Sequence, residues 1–230
     1  AGRGGRSSRL AKALAALGVE ADDIALVSKH DTSTGANDPN ESELHTRLAR
    51  ALGRSEGNSL VAVSQKTITG HAKGGAAVFQ VAGLTEILAS GVAPGNASLD
   101  VVDAPLAKDA FWVWPRRPIR LAGRGGQDGR VPGAGPVRAG LLTSLGFGHV
   151  SGLIAIVHPG AFEAALRQSA GQEAVDAWLT SANARLAAGT RRRRAGMIGR
   201  APLFEPVQGR RLGEESKQRD PHEVEAAMLL

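Results

Sequence analysis

Ile24-Ala-Leu-Val-Ser-Lys-His30 runs without interruption into Asp31-Thr-Ser-Thr34-Gly-Ala-Asn-Asp38, and an apolar run ending in a histidine before a polar loop decides the fold. Ala25 to Ser28 has the length and residue types of a buried strand. Leu60 to Ser64 repeats the pattern and leads into Gln65-Lys66-Thr-Ile-Thr-Gly70-His71. Between the two strands, Asn40 to Leu52 carries Leu44, Leu48 and Leu52 at helical spacing, started by Asn40 or Pro39. After the second strand, His71 to Ser90 is Ala-rich and apolar on most sides, which predicts a buried helix ending at Gly91. Strand, helix, strand, helix implies a βαβ unit with parallel strands, hence an α/β domain.

Outward from this unit the pattern holds less evenly. Upstream, Leu10, Leu14 and Leu17 predict a helix within Ser7 to Leu17. Downstream, Gly91 to Asn96 is a turn cluster, and Phe111 to Leu121 is extended but broken by Pro115 and Pro118. Arg120 to Pro136 is Gly-rich without periodicity and reads as a surface loop. Leu141 to Leu145 and Leu153 to Val157 flank Gly146-Phe147-Gly148 and predict a tight antiparallel pair. A helix opens at Pro159, with Phe162, Leu166, Val175, Trp178 and Leu179 as its apolar stripe and a break near Gly171. The organisation expected is a domain over residues 1–165, a helical extension over 166–190, and a basic polar tail over 191–230. Ala1 in place of Met, and an end inside Val224 to Leu230, read as a segment of a longer chain.

Composition bounds the chemistry. With 42% apolar and 22% charged residues the chain is globular, and with 3% aromatics its core rests on Val, Leu, Ile and Ala. There is no cysteine, so disulfides, thiolate metal sites and a cysteine nucleophile are excluded within the chain. No apolar run approaches the ~20 residues of a membrane span, and no signal peptide is visible, so a cytoplasmic location is expected. The net charge of +6 raises nucleic acid as a partner. No aromatics alternate with the arginines at 116, 117, 120, 124, 130 and 191–194, so a solvated or acid-facing surface is the better reading.

Parallel neighbours bring their carboxyl ends to one edge, where α/β folds place their sites. If the two strands are neighbours, His30, Lys66 and His71 converge there. Two imidazoles and an ammonium can polarise a carbonyl and stabilise an enolate, and the lysine favours neutral histidines. The glycines around His71 also suit a phosphate loop, but neither the Walker nor the Rossmann spacing occurs. His30, Asp31, Asp38 and His71 lack the close helical spacing of zinc sites. His45, His149, His158 and His222 have no comparable placement and read as structural.

His30 to Asp38, Lys66 to His71 and Leu145 to Gly148, supported by Asn37 to Glu41, Gly70 to Gly75 and Ala139 to His149, resemble in order three consecutive motifs of the β-ketoacyl synthases. The flavour is that of the multifunctional type I fatty acid synthases of bacteria and fungi, and the resemblance spans about residues 7 to 165. It implies a thiolase-like fold, of which this chain is the carboxyl-terminal half: a mixed sheet covered by helices. It implies fatty acid biosynthesis by decarboxylating Claisen condensation, with His30 and His71 holding the malonyl thioester and its enolate and Lys66 supporting them. Thr32 and Thr34 match hydroxyls that contact the phosphopantetheine arm. Phe147 matches a gate whose N–H is a candidate for the oxyanion hole. The implied partners are an acyl carrier protein, an amino-terminal half carrying the nucleophilic cysteine, and a second ketosynthase copy; no cofactor is expected on this segment. Asp31 departs from the glycine usual in discrete synthases, and Gln80 from their glutamate, so no ion-binding role is carried over to it. Asp38 is expected to order its loop. The alternative is a non-catalytic partner subunit that shapes chain length, against which the retained His30, Lys66 and His71 argue.

Overall fold

The computed structural model describes residues 5–107, 111–121, 137–146 and 151–200. In chain order its elements are α1 (Arg9–Ala16), β1 (Ile24–Ser28), α2 (Asn37–Leu52), β2 (Leu60–Val63), α3 (Lys66–Thr69) and α4 (Ala76–Ser90). They continue with β3 (Val92–Ala93), α5 (Ala104–Ala107), β4 (Trp112–Val113), β5 (Ile119–Arg120), β6 (Ala139–Leu145), β7 (Ser151–Val157) and α6 (Pro159–Met197). Two compact units divide the chain after Gln172.

The first unit is built on a five-stranded sheet of order β4-β2-β1-β6-β7. β1 lies between β2 and β6, parallel to both, with Ser28 opposite Val63 on one side and Leu142 on the other. β4 runs parallel to β2, and β7 closes the far edge antiparallel to β6. The sheet is therefore mixed. Side-chain alternation along the strands separates two cores. Val27, Leu60, Ala62 and Leu141 face one way, onto Leu14, Leu48, Ala49 and Ala161 from the helices. Leu26, Val61, Val63 and Leu142 face the other way, onto Leu84, Ile87 and Leu88 of α4.

At Gly140 the β6 backbone lies so close to that second core that an added Cβ would sit 2.6 Å from Leu84 Cδ1 and 3.0 Å from Leu26 Cδ2. Both leucines are fully buried, so an added methyl forces them to repack within a filled core. Gly140→Ala should therefore cost about 1–3 kcal/mol in urea denaturation, despite the usual gain from replacing a strand glycine.

Three expectations shift. α2 begins at Asn37, not Asn40, because the Thr34 carbonyl accepts from the N–H groups of Asn37 and Asp38 at 3.1 Å each. Pro39 sits comfortably in that first turn, where its missing N–H costs nothing. The helix expected from His71 begins at Ala76, since Gly70 and Lys73 both take positive φ (66° and 50°) and break the connection after α3. Nor is α4 buried all round: Val78 is 69% and Phe79 46% exposed on the side away from the sheet. The proline-broken segment holds two short strands, as its sequence predicts. The Gly-rich loop, apart from its first two residues, lies outside the described residues.

α6 departs from helical geometry at Gly171 (φ 85°, ψ 176°). In the second unit the helix continues to Met197 through the exposed arginines 191–194, so the first part of the basic tail is helical. No helix among the described residues is long and apolar enough to cross a membrane.

Candidate functional site

β1 and β2 end side by side, and the residues that follow them form the site. His30 stands two positions past β1 and is buried; Lys66 opens α3, three positions past β2. The Lys66 ammonium reaches His30 twice, donating to its backbone carbonyl and to Nδ1 at 3.3 Å. His71, on the loop between α3 and α4, is exposed, and its ring meets that of His30 edge-on at 5.5 Å between centroids and 86° between planes. Its Nδ1 accepts the Lys73 N–H at 3.1 Å. A backbone N–H and an ammonium can only donate, so each histidine has its Nδ1 lone pair occupied and its N–H on Nε2. Both rings are thereby set as hydrogen-bond donors. Burial, reinforced by Lys66, holds the His30 pKa below the ordinary imidazole value and keeps it neutral. Burial also lowers that of Lys66, against the opposing charges of Glu41 and Asp31.

Thr32 and Thr34 lie on the loop between β1 and α2, their hydroxyls 3.3 Å apart. Phe147 and His149 lie outside the described residues. The triad His30, Lys66 and His71 is thus brought together, with the two threonines on the adjoining loop. Among the described residues no group of three or more His, Asp or Glu side chains is arranged to hold a metal ion.

Residues 3–100 fit the family model described as beta-ketoacyl synthase, C-terminal domain. That stretch belongs to the β-ketoacyl synthase family. Over 154 residues, 67% of the chain, the protein is 40% identical to the fatty acid synthase subunit alpha of Saccharomyces cerevisiae; over 73% of the chain it is 39% identical to that of Candida albicans. The chain spans about 8% of the length of these relatives. Among solved structures, the ketosynthase FabY from P. aeruginosa superposes with a TM-score of 0.66 over 90% of this chain and 30% of its own, at 22% identity. The fold is accordingly the thiolase-like fold of ketosynthases, a mixed sheet covered by helices.

What anchors His30 is a buried carboxylate with no role evident from the sequence motifs. Glu41, 1% exposed on α2, accepts the His30 N–H at 2.5 Å on Oε1 and the Asp31 N–H at 2.9 Å on Oε2. Asn37 Nδ2 adds a bond to Oε2 at 3.2 Å, and the Thr143 hydroxyl donates to Oε1. Thr143 has spent its proton on Glu41, so its oxygen accepts from His45 Nε2 at 3.0 Å. His45 is structural, as expected, and its free Nδ1 is buried without a partner. The sequence signal was available: a Glu four residues after Asn37, on the helix face turned to the sheet.

Gln80 fixes the same edge from α4. The two hydrogens of its Nε2 are shared among the carbonyls of Ser28 (3.0 Å), Lys29 (2.9 Å) and Thr143 (2.9 Å), tying β1 to β6. A carboxylate there would set acceptors against acceptors and need a proton or cation between them. The amide supplies the donor itself. Across the sheet, Asn96 performs a similar service for β2, accepting from the Ser64 N–H at 2.7 Å and donating to the Ala62 and Pro115 carbonyls at 3.1 Å each.

Burial lowers the His45 pKa to about 4. Because the folded value lies below the unfolded one, the unfolded chain binds the extra proton between pH 6.5 and about 4. Stability from neutral His45 is complete above that window and lost as pH falls through it. At about 1.4 kcal/mol per unit, His45→Gln should gain about 3 kcal/mol on the wild type between pH 7 and 4. Paired urea titrations of both proteins check this, since other groups cancel in the difference. Parallel curves would mean that His45 does not stay neutral.

Proposed function

We propose that this ketosynthase domain acts in fatty acid biosynthesis, in the decarboxylating Claisen condensation of a malonyl thioester on acyl carrier protein with an acyl group held on cysteine. The observation that carries the reading is the edge-to-face pair of histidines, each committed at Nδ1 and free to donate from Nε2. Two such donors match one thioester oxygen. As the bond to the carboxylate breaks and carbon dioxide leaves, its electron pair moves onto that oxygen as an enolate, and fixed donors stabilise the charge without rearranging. The enolate carbon then bonds to the acyl carbonyl, and the cysteine thiolate departs. Lys66, bonded to His30, favours the neutral imidazole and adds positive potential for the malonyl carboxylate and the enolate.

Thr32 and Thr34 would take the phosphopantetheine arm, which serves as substrate carrier rather than resident cofactor; Phe147 would gate the acyl side. The nucleophilic cysteine must come from another polypeptide segment, because this chain has none. The exposed Ile68, Val78 and Phe79 around α3 and α4 give an amino-terminal ketosynthase half an apolar surface to cover. The deciding assay reconstitutes the two halves and follows carbon dioxide release from malonyl-acyl carrier protein separately from acylation of the cysteine. Release that depends on His30 and His71 supports the reading. Acylation without any decarboxylation would reject it in favour of a partner subunit.

A further inference from the structure

Lys29 is a lysine with no contact to water: its side chain is 0% exposed. Burying an ammonium is costly unless several acceptors surround it. Here Nζ has one carboxylate oxygen, Asp31 Oδ1 at 3.4 Å, and the face of Trp114 at 4.8 Å from the ring centroid. A methionine would fill the same space at less cost. Asp31 is an equally unfavourable choice on local grounds, for its φ of 42° lies in the left-handed region that suits glycine. Two residues that each break a local rule are paired with one another, and His30 stands between them. Such compensated strain is found where a site must be held in place.

We propose that Lys29 and Asp31 are positioning residues of this site, their ion pair fixing the left-handed turn that follows His30 and presents Thr32 and Thr34 to the substrate arm. The inference rests on the condensing reaction proposed above and adds to it a determinant of substrate binding. The backbone supports it at both ends. The Lys29 N–H donates to the Val63 carbonyl at 2.9 Å and its own carbonyl accepts from Gln80, while the Asp31 N–H is held by Glu41. The far end of the turn is tied by the Thr34 carbonyl, which accepts from the Asn37 and Asp38 N–H groups at 3.1 Å each, and the side-chain pair, which brackets His30, ties its near end.

The pair is also sensitive to acid. Burial raises the Asp31 pKa to about 6; Lys29, at the end of β1, opposes the rise, while Asp38 and Glu41 on α2 add to it. Lys66 on α3 feels the Asp31 charge in turn. Below about pH 6 the carboxyl is protonated, the ion pair is lost, and the turn is released. This separates two acid effects: protonation of His30 acts on kcat, and protonation of Asp31 acts on KM.

The test uses the intact condensing enzyme and the paired variant Lys29→Met/Asp31→Asn, which removes both charges and leaves neither partner buried alone. Decarboxylation of malonyl-acyl carrier protein is measured across about pH 5 to 8, with thermal unfolding alongside. The expected result is unfolding at the wild-type temperature, KM raised about tenfold, kcat within about threefold, and no acid rise in KM. Lys29→Arg, which keeps the charge, should restore the wild-type KM. A wild-type KM with its acid rise intact in the paired variant overturns the proposal, as does a fall in kcat at unchanged KM. Loss of cooperative unfolding in that variant also overturns it, making the pair a stability element. His71→Ala separates the two readings. If the wild type shows no His71-dependent decarboxylation, both fall together; if it does and KM is unmoved by the paired variant, only the positioning role falls.

Discussion

His71→Ala is expected to lower malonyl decarboxylation by about two to three orders of magnitude, the range found when one donor to a developing oxyanion is removed. Cysteine acylation should persist, since that step uses the nucleophile and its own oxyanion hole. His71 is a cleaner position for the experiment than His30. Its side chain is exposed on a loop, and its one backbone bond, from the Lys73 N–H, can pass to water. The protein should fold and unfold as the wild type does, so the loss can be assigned to chemistry. His30 is buried and bonded to Lys66, and its removal mixes lost catalysis with a displaced lysine. Normal decarboxylation with failed acylation would reverse the assignment and place His71 on the acyl side.

Much of the arrangement was legible because it follows from periodicity. β1 and β2 are short apolar runs of known length, and once they are parallel neighbours His30 and Lys66 must share an edge. The antiparallel β6–β7 pair and the kink at Gly171 were readable for the same local reason. His71 was harder to place. The connection after Lys66 does not pass straight into a long helix; α3 and two positive-φ residues carry His71 back over His30. That geometry depends on backbone conformations that sequence spacing does not encode. The polar interior was legible only as positions, not as contacts. Glu41, Gln80, Asn96 and Thr143 are ordinary residues in sequence, and their roles exist only through partners up to 102 positions away. Lys29 carries no sequence signal of burial, since a lysine at a strand end is ordinarily solvated. Nothing but the fold reveals that Asp31 and Trp114 enclose it.

Glu41→Gln tests that hidden layer, and its effect should be large for so small a change. Each Glu41 oxygen now accepts two bonds: Oε1 from the His30 N–H and Thr143 hydroxyl, Oε2 from the Asp31 N–H and Asn37 amide. An amide has one oxygen, so in either orientation its NH2 group points at two donors. Asn37 can turn outward and Thr143 can rotate its hydroxyl, but a backbone N–H has no such freedom. One of the two main-chain groups that fix His30 and Asp31 is left buried and unpaired, at a cost of about 1–3 kcal/mol. The lost charge adds to this, because Glu41 raises the pKa values of both His30 and Lys66. Without it Lys66 gives up its proton more readily at alkaline pH, and the donor to His30 Nδ1 weakens. The expected outcome is a lower urea midpoint together with a kcat for decarboxylation that falls earlier on the alkaline side. Glu41→Ala should be worse, by about 3–5 kcal/mol, as it orphans both N–H groups and opens a cavity. Should Glu41→Gln match the wild type in both measurements, His30 must be held by Lys66 and the β1 backbone alone. The carboxylate would then be a helix anchor with no part in the reaction.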